Sequence, residues 1–167
     1  GTPGSGGVRT TAEERKAIRR VLAGIYTAVF DDRLDPRDVH LNQLVDADDE
    51  ADIYLPEVGL NFAYWRRWPV ERRLEVVLHE LAHVEEADGE PNHGPAFYDR
   101  FVALVEAAAE RLAEIAAVFG EPIDFDRVRR LVVESVHEDT IEPELETVAG
   151  RKRLLRDRFG LDAGDHF

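Results

Sequence analysis

Three histidines and one glutamate have the types and spacing to do chemistry in this chain. His79-Glu80-Leu81-Ala82-His83 sets two imidazoles four residues apart, with a carboxylate beside the first. On an α-helix that spacing stacks the two rings one turn apart on a single face. Both can then close on one Zn²⁺, while Glu80 is placed to take a proton from a water activated on the metal. Ten residues after His83, His93 lies in Asn92-His93-Gly94-Pro95-Ala96-Phe97, just ahead of a helix start. Catalytic zinc usually takes three protein ligands and leaves the fourth position for water, so His93 completes the set. Gly89 and Pro91 break the segment from Val84 to Asn92 and let the chain turn back toward the first two ligands. The longer HExxHxxGxxH signature needs a glycine and a histidine where this chain has Glu86 and Gly89. Glu106 and Glu110, on the helix that follows, are the alternative source of a third ligand.

On these residues the chain resembles a known group. His79 to His83 followed by Asn92-His93-Gly94-Pro95-Ala96-Phe97-Tyr98 is similar to the SprT-like and related small zinc metallopeptidases, which carry an N-H-x-x-x-F-[WY] segment. The resemblance spans residues 12 to 119 in layout and 79 to 98 at the level of motif. It implies a minimal zincin fold of class α+β: an N-terminal helix, a short three-stranded sheet, the active-site helix and further helices. It also implies His79, His83 and His93 as zinc ligands and Glu80 as general base. Two departures matter. SprT-like proteins often add a cysteine-rich zinc ribbon, and this chain has no Cys; they tend to be basic where they meet DNA, and this chain carries a net charge of −14.

Composition narrows the partners. With 35 Asp and Glu against 21 Lys and Arg, tight binding to nucleic acid by this chain alone is not expected, because duplex affinity rests on cations neutralising phosphates. The expected partner is a protein or peptide substrate. No apolar run reaches the ~18 residues of a membrane span, so no membrane partner is expected and a cytoplasmic location is. Without Cys there is no disulfide, no thiolate nucleophile and no Cys-based zinc site. Arg outnumbers Lys 19 to 2. Together with the acidic excess, this matches proteins that work in molar salt, where a Debye length of about 3 Å screens the repulsion.

The elements that must position the site follow from periodicity. Thr11 and Glu14 form a capping box for a helix over 12–30, with Ile18, Val21, Leu22, Ile25 and Val29 on its apolar face. Residues 39–45 and 52–55 read as strands joined by a hairpin-like acidic connection, 46–50, and 60–65 as a third strand edging the cleft. Pro69 and Val70 open the motif helix. At 100° per residue, Val70, Leu74, Val77, Leu81 and Val84 form its core stripe, with His79 and His83 nearly opposite and turned away from the core. Pro95 at N1 and Gly120 at the stop bound one further helix. Residues 126–136 fit either an amphipathic helix or a strand, and 144–159 fit a helix carrying a cluster from Arg151 to Arg158. The domains expected are a flexible or tag-like segment over 1–10, a metallopeptidase core over 11–120 and a mostly helical C-terminal extension over 121–167.

The chemistry expected is zinc-dependent hydrolysis of peptide bonds, with Glu80 shuttling the water proton to the leaving amine. Tyr98, Tyr64 and His137 are candidates to stabilise the oxyanion, and Asp88 or Glu85 to orient a ligand imidazole. The alternative reading is a catalytically inactive zinc-binding module in regulation or assembly. Glu80 argues against it, since a purely structural site has no use for a base. A metal-free helical interaction protein, with incidental histidines, is the remaining alternative.

Overall fold

A computed structural model describes residues 8–138, with side chains to Ser135. The readings of 144–159 and of the Arg151–Arg158 cluster, and the side chain of His137, lie outside the described residues. Within them the fold is α+β, with six helices and one three-stranded mixed sheet.

α1 runs Ala12–Phe30, and the Thr11 side chain accepts from the Glu14 N–H at 3.0 Å, the first half of the expected capping box. Residues 8–10 are tied down: Gln43 donates to the Val8 carbonyl at 2.8 Å, and Val8 packs partly against the core. After a 3₁₀ turn at Pro36–Asp38 come β1 (His40–Gln43), β2 (Ala51–Tyr54) and β3 (Glu57–Leu60). Their order is β1-β3-β2, with β3 parallel to β1 and antiparallel to β2.

Two strand expectations are corrected here. The hairpin joins β2 and β3 across Leu55-Pro56, not β1 and β2 across 46–50. The acidic segment instead carries the chain past the sheet to its far edge. The third strand ends at Leu60, and Phe62–Arg67 forms a short helix, α2. Asn61 explains the switch. Its side chain accepts from the Ala63 N–H at 3.2 Å as N-cap and donates to the Asp46 and Asp49 carbonyls at 3.1 and 3.0 Å. An aromatic-rich run read as a strand is thus overridden by a cap residue at its head. The strand that edges the cleft is β2.

α3 (Val70–Leu81) carries the motif, α4 spans Pro95–Glu110 and α5 spans Leu112–Phe119. The single helix expected to end at Gly120 is therefore two, broken at Arg111 (φ −110°, ψ 25°), although Gly120 does supply the left-handed stop at φ 77°. The ambiguous stretch is helical, α6 (Phe125–Glu138). It packs Val128, Val132 and Val133 into the same core as α3 and α4. Buried Glu71 on α3 accepts from the Asp124 N–H at 3.1 Å and faces Arg127 at 3.5 Å, which fixes the start of α6 against the motif helix. Gly24 lets α1 approach α5: a Cβ there would lie 2.8 Å from a Val118 methyl. No helix among the described residues is long and apolar enough to cross a membrane.

Candidate metal centre

The regular part of α3 ends at Leu81, two residues short of the second histidine. The Ala82 N–H still bonds the Leu78 carbonyl at 3.0 Å, but His83 bonds back only to Glu80, at 3.1 Å. His83 therefore sits on a tightened final turn rather than mid-helix. The orientation expected for the helix is also corrected. α6 packs on a second face of α3, with Ser135 beside His79, so that Glu75 is buried along with the apolar stripe and His79 is half-buried rather than turned out. A helix that is buried nearly all round needs a second partner, and no periodicity in the chain marks where α6 docks.

His93 reaches the motif because Arg100 of α4 ties two stretches of backbone together. Its guanidinium donates to the Ala82 carbonyl at 2.8 Å and grips the Glu90 carboxylate at 3.0 and 2.5 Å. Ala82 lies beside His83, and Glu90 lies three residues before His93. Gly89 turns the intervening loop at φ 79°, and Pro95 starts α4 at its first turn. Arg100 holds the Glu90 carboxyl below its ordinary range, chiefly by that side-chain bond.

The three imidazoles converge. One nitrogen from each of His79, His83 and His93 lies within 4.8 Å of the others, and the Nε2 atoms of His79 and His93 are 3.3 Å apart. Two nitrogens bound at about 2.0–2.1 Å to a tetrahedral ion would lie about 3.3–3.4 Å apart, so this spacing suits a metal ion. The ring environment suits it too. His83 Nδ1 is 3.1 Å from a Glu86 carboxylate oxygen, which can only accept, so Nδ1 carries the proton and Nε2 keeps its lone pair. Glu86, three residues on, takes the orienting role assigned in the sequence to Asp88 or Glu85. Ser135, from α6, sits 3.5 Å from His79 Nδ1, a long contact on the corresponding side of that ring.

Phe97 forms the floor. It is buried, stacks under His83 at 4.4 Å between ring centroids, and meets His79 and His93 at 5.0 and 4.9 Å. Phe101 closes the far side of His79 at 5.5 Å. Burial, reinforced by His93, His83 and Arg72, pushes His79 from its ordinary 6.5 down to about 3. His79 is thus neutral at physiological pH, the form that donates a lone pair to a metal.

Glu80 is half-buried and shares two adjoining cavities with His79. One, about 240 Å³, is lined also by Asp52, Ile53, Tyr54, His83, Glu86, Asn92 and His93; the other, about 190 Å³, by Glu50, Ala51, Arg72, Glu75, Val76 and Ser135. Two of the three oxyanion candidates, Tyr98 and Tyr64, lie elsewhere. Tyr98 is 1% exposed against Phe97, and the Tyr64 hydroxyl donates to the Ala47 carbonyl; neither lines either cavity. The hydroxyl- and amide-bearing residues that do line the cleft are Tyr54, Asn92 and Ser135, none of them among the candidates read from the sequence. Glu106 and Glu110 are exposed on α4 and outside the converging group.

Among the described residues, the outer edge of β2 is unpaired and borders the same cleft. The Asn61 N–H bonds the Glu50 carbonyl at 2.9 Å, which fixes the alternation of the antiparallel pair. Asp52 and Tyr54 then bond to β3, while Ala51 and Ile53 turn their N–H and C=O groups outward. No family model, no curated protein and no solved structure matches this chain.

Proposed function

We propose that this protein is a zinc-dependent metallopeptidase that hydrolyses peptide bonds of protein substrates. The observation that carries the reading is the convergence of three neutral-capable imidazoles with Glu80 at their side and an open strand edge along the same cleft. His79, His83 and His93 would hold the ion, through Nε2 in the case of His83, whose Nδ1 proton faces Glu86. A zinc ion held by three neutral ligands supplies Lewis acidity, making a water acidic near pH 7 and polarising a carbonyl.

The chain's own residues do the rest. An extended peptide pairs with the outward groups of Ala51 and Ile53, as a strand adds to a sheet edge, and is drawn across His79 and Glu80. The Glu80 carboxylate accepts the proton of the attacking water and returns it to the leaving amine nitrogen. Phe97 and Phe101 exclude solvent from below the rings.

The test couples metal content to cleavage. Untagged wild type should hold one zinc per chain, and His93→Ala should lose it. Glu80→Gln should keep zinc and fold yet hydrolyse a casein-like substrate about 10²–10⁴-fold more slowly, because an amide accepts no proton. Equal cleavage by wild type and Glu80→Gln would remove the mechanism; full zinc in His93→Ala would remove the ligand set.

A further inference from the structure

α6 packs chiefly on the helix that carries the motif, and its far end reaches a ligand ring. Glu71 fixes its start through the Asp124 N–H and Arg127, and buried Val128, Val132 and Val133 fill its middle. Ser135 lies three residues past Val132 and so on the same face. It is 8% exposed and borders the smaller cavity together with His79 and Glu80. The two ligands of the motif are thus braced differently. Glu86 stands three residues from His83, whereas Ser135 comes 56 residues after His79 and arrives only when α6 has docked.

The direction of this contact follows from the other side of the ring. His79 Nε2 is the nitrogen turned toward His93, 3.3 Å from its Nε2, so it is the one that must keep a lone pair for a metal ion. A neutral imidazole carries one proton, which then sits on Nδ1, 3.5 Å from the Ser135 Oγ. The hydroxyl accepts there, and its own proton can go to a carbonyl one turn back on α6. At 3.5 Å the bond is at its outer limit, so small movements of α6 decide whether it exists. A ring held with Nδ1 toward α6 favours the docked helix, and the docked helix favours that ring. Two events that share one contact help each other equally, because linkage is reciprocal.

We propose that Ser135 is a positioning residue for His79, holding the Nδ1 proton so that Nε2 faces the metal, and that zinc binding and the docking of α6 are thereby linked. This rests on the metallopeptidase reading only for the ligand set, and it concerns how the site is assembled rather than cleavage. The motif and His93 bring the three rings together; α6 then fixes the orientation of the first.

Three measurements on the full chain separate positioning from mere packing. Nitrogen-15 NMR of metal-free protein reports which ring nitrogen of His79 carries the proton: the Nδ1–H form should dominate in wild type and lose ground in Ser135→Ala. A zinc-competition titration should show Ser135→Ala weakened about tenfold, the lower end for an outer-shell partner, because a neutral hydroxyl rather than a carboxylate is removed. Hydrogen exchange should show zinc slowing the amides of 128–135 in wild type. In Ser135→Ala that added protection should shrink by about the factor lost in affinity. An unchanged tautomer, an equal zinc affinity or an equal protection of α6 in the variant would each overturn the proposal. Should Ser135→Ala not fold, the wild type decides alone, and zinc that leaves the 128–135 amides unaffected overturns it. Cleavage of a casein-like substrate by zinc-loaded wild type is followed alongside. Zinc linked to α6 without cleavage would keep the role of Ser135 and remove the hydrolytic reading; cleavage with α6 unlinked would do the reverse.

Discussion

Hollows of two different kinds stand apart among the described residues, and the larger is the less chemical. A groove of about 760 Å³ runs between α1 and α5, walled by residues such as Ala17, Val21, Ala28, Ala117 and Val118, with Trp65 at one end. The two cavities beside α3 are far smaller, at about 190 and 240 Å³. Size alone favours the groove as a binding site. Yet four of its charged groups are engaged in structure: Arg66 pairs with Glu14 at 2.6 Å, Arg73 donates to the Trp65 carbonyl at 2.9 Å, and Glu114 pairs with Arg111 at 2.9 Å. In the small cleft a half-buried histidine is held neutral beside two others, and a half-buried glutamate faces the same space. Volume here follows from how helices with small side chains pack; chemistry follows from where titratable groups are forced together.

Breaking the support under the small cleft should therefore cost function directly. Glu86→Gln keeps a hydrogen-bond acceptor near His83 Nδ1 but removes the charge that fixes the ring proton. Outer-shell changes of this kind typically weaken metal binding about 10–100-fold. A zinc-competition titration should show that loss while circular dichroism stays unchanged. Unaltered affinity would reduce Glu86 to a surface acid.

The neutral state of His79 gives a second measurement, on metal-free protein. Its folded pKa of about 3 lies below the ordinary 6.5, with burial as the main cause. As pH falls, the unfolded chain takes up this proton first, so stability is whole above about 6.5 and drains away toward about 3. Urea midpoints of wild type should fall more steeply between about pH 7 and pH 4 than those of His79→Gln, whose side chain does not titrate. Parallel slopes would mean that the imidazole is solvated.

These contrasts mark what was legible in the sequence. The three histidines and Glu80 stand out by type and spacing, because metal chemistry restricts both. The boundaries of α1 and the start of α4 were legible as well, since Thr11 and Pro95 act locally. Legibility failed where a partner distant in sequence decides. Ser135 lies 56 residues from His79, and Arg100 joins Ala82 to Glu90, with no periodic signal for either. Nor does periodicity reveal that α6 closes the second face of α3, or that β3 inserts between β1 and β2. Glu86 was within reach, for a side chain three residues past a helical histidine is its neighbour. Pro56 was too, as punctuation between two short strands.

On the other side of the molecule, effects should be confined to stability. At Gly24 an added methyl raises helix propensity by about 1 kcal/mol, but it would sit 2.8 and 2.9 Å from the two Val118 methyls. A helical valine has little rotamer freedom with which to yield, so α1 and α5 must separate, at about 1–3 kcal/mol. Gly24→Ala should therefore be destabilising by about 1 kcal/mol net, seen in the urea midpoint, with zinc affinity unchanged. A stabilised variant would show that the α1–α5 contact has slack.

The smallest effect should come from filling the groove itself. Ala117 is exposed on α5 and lines the hollow facing α1, so a leucine there can lie across Val21 and Ala28 without displacing backbone. Full burial of each added CH₂ is worth about 0.8 kcal/mol, but an open groove covers only part of it, so a gain of about 1 kcal/mol or less is expected from Ala117→Leu. Zinc content and cleavage should match wild type, because none of the residues that bound the metal cleft lines the groove. Occupying the larger hollow while leaving the chemistry intact would separate the two sites experimentally. A fall in cleavage with zinc retained would instead mean that the groove takes part in handling substrate, and size would regain its weight as a guide to function in this molecule.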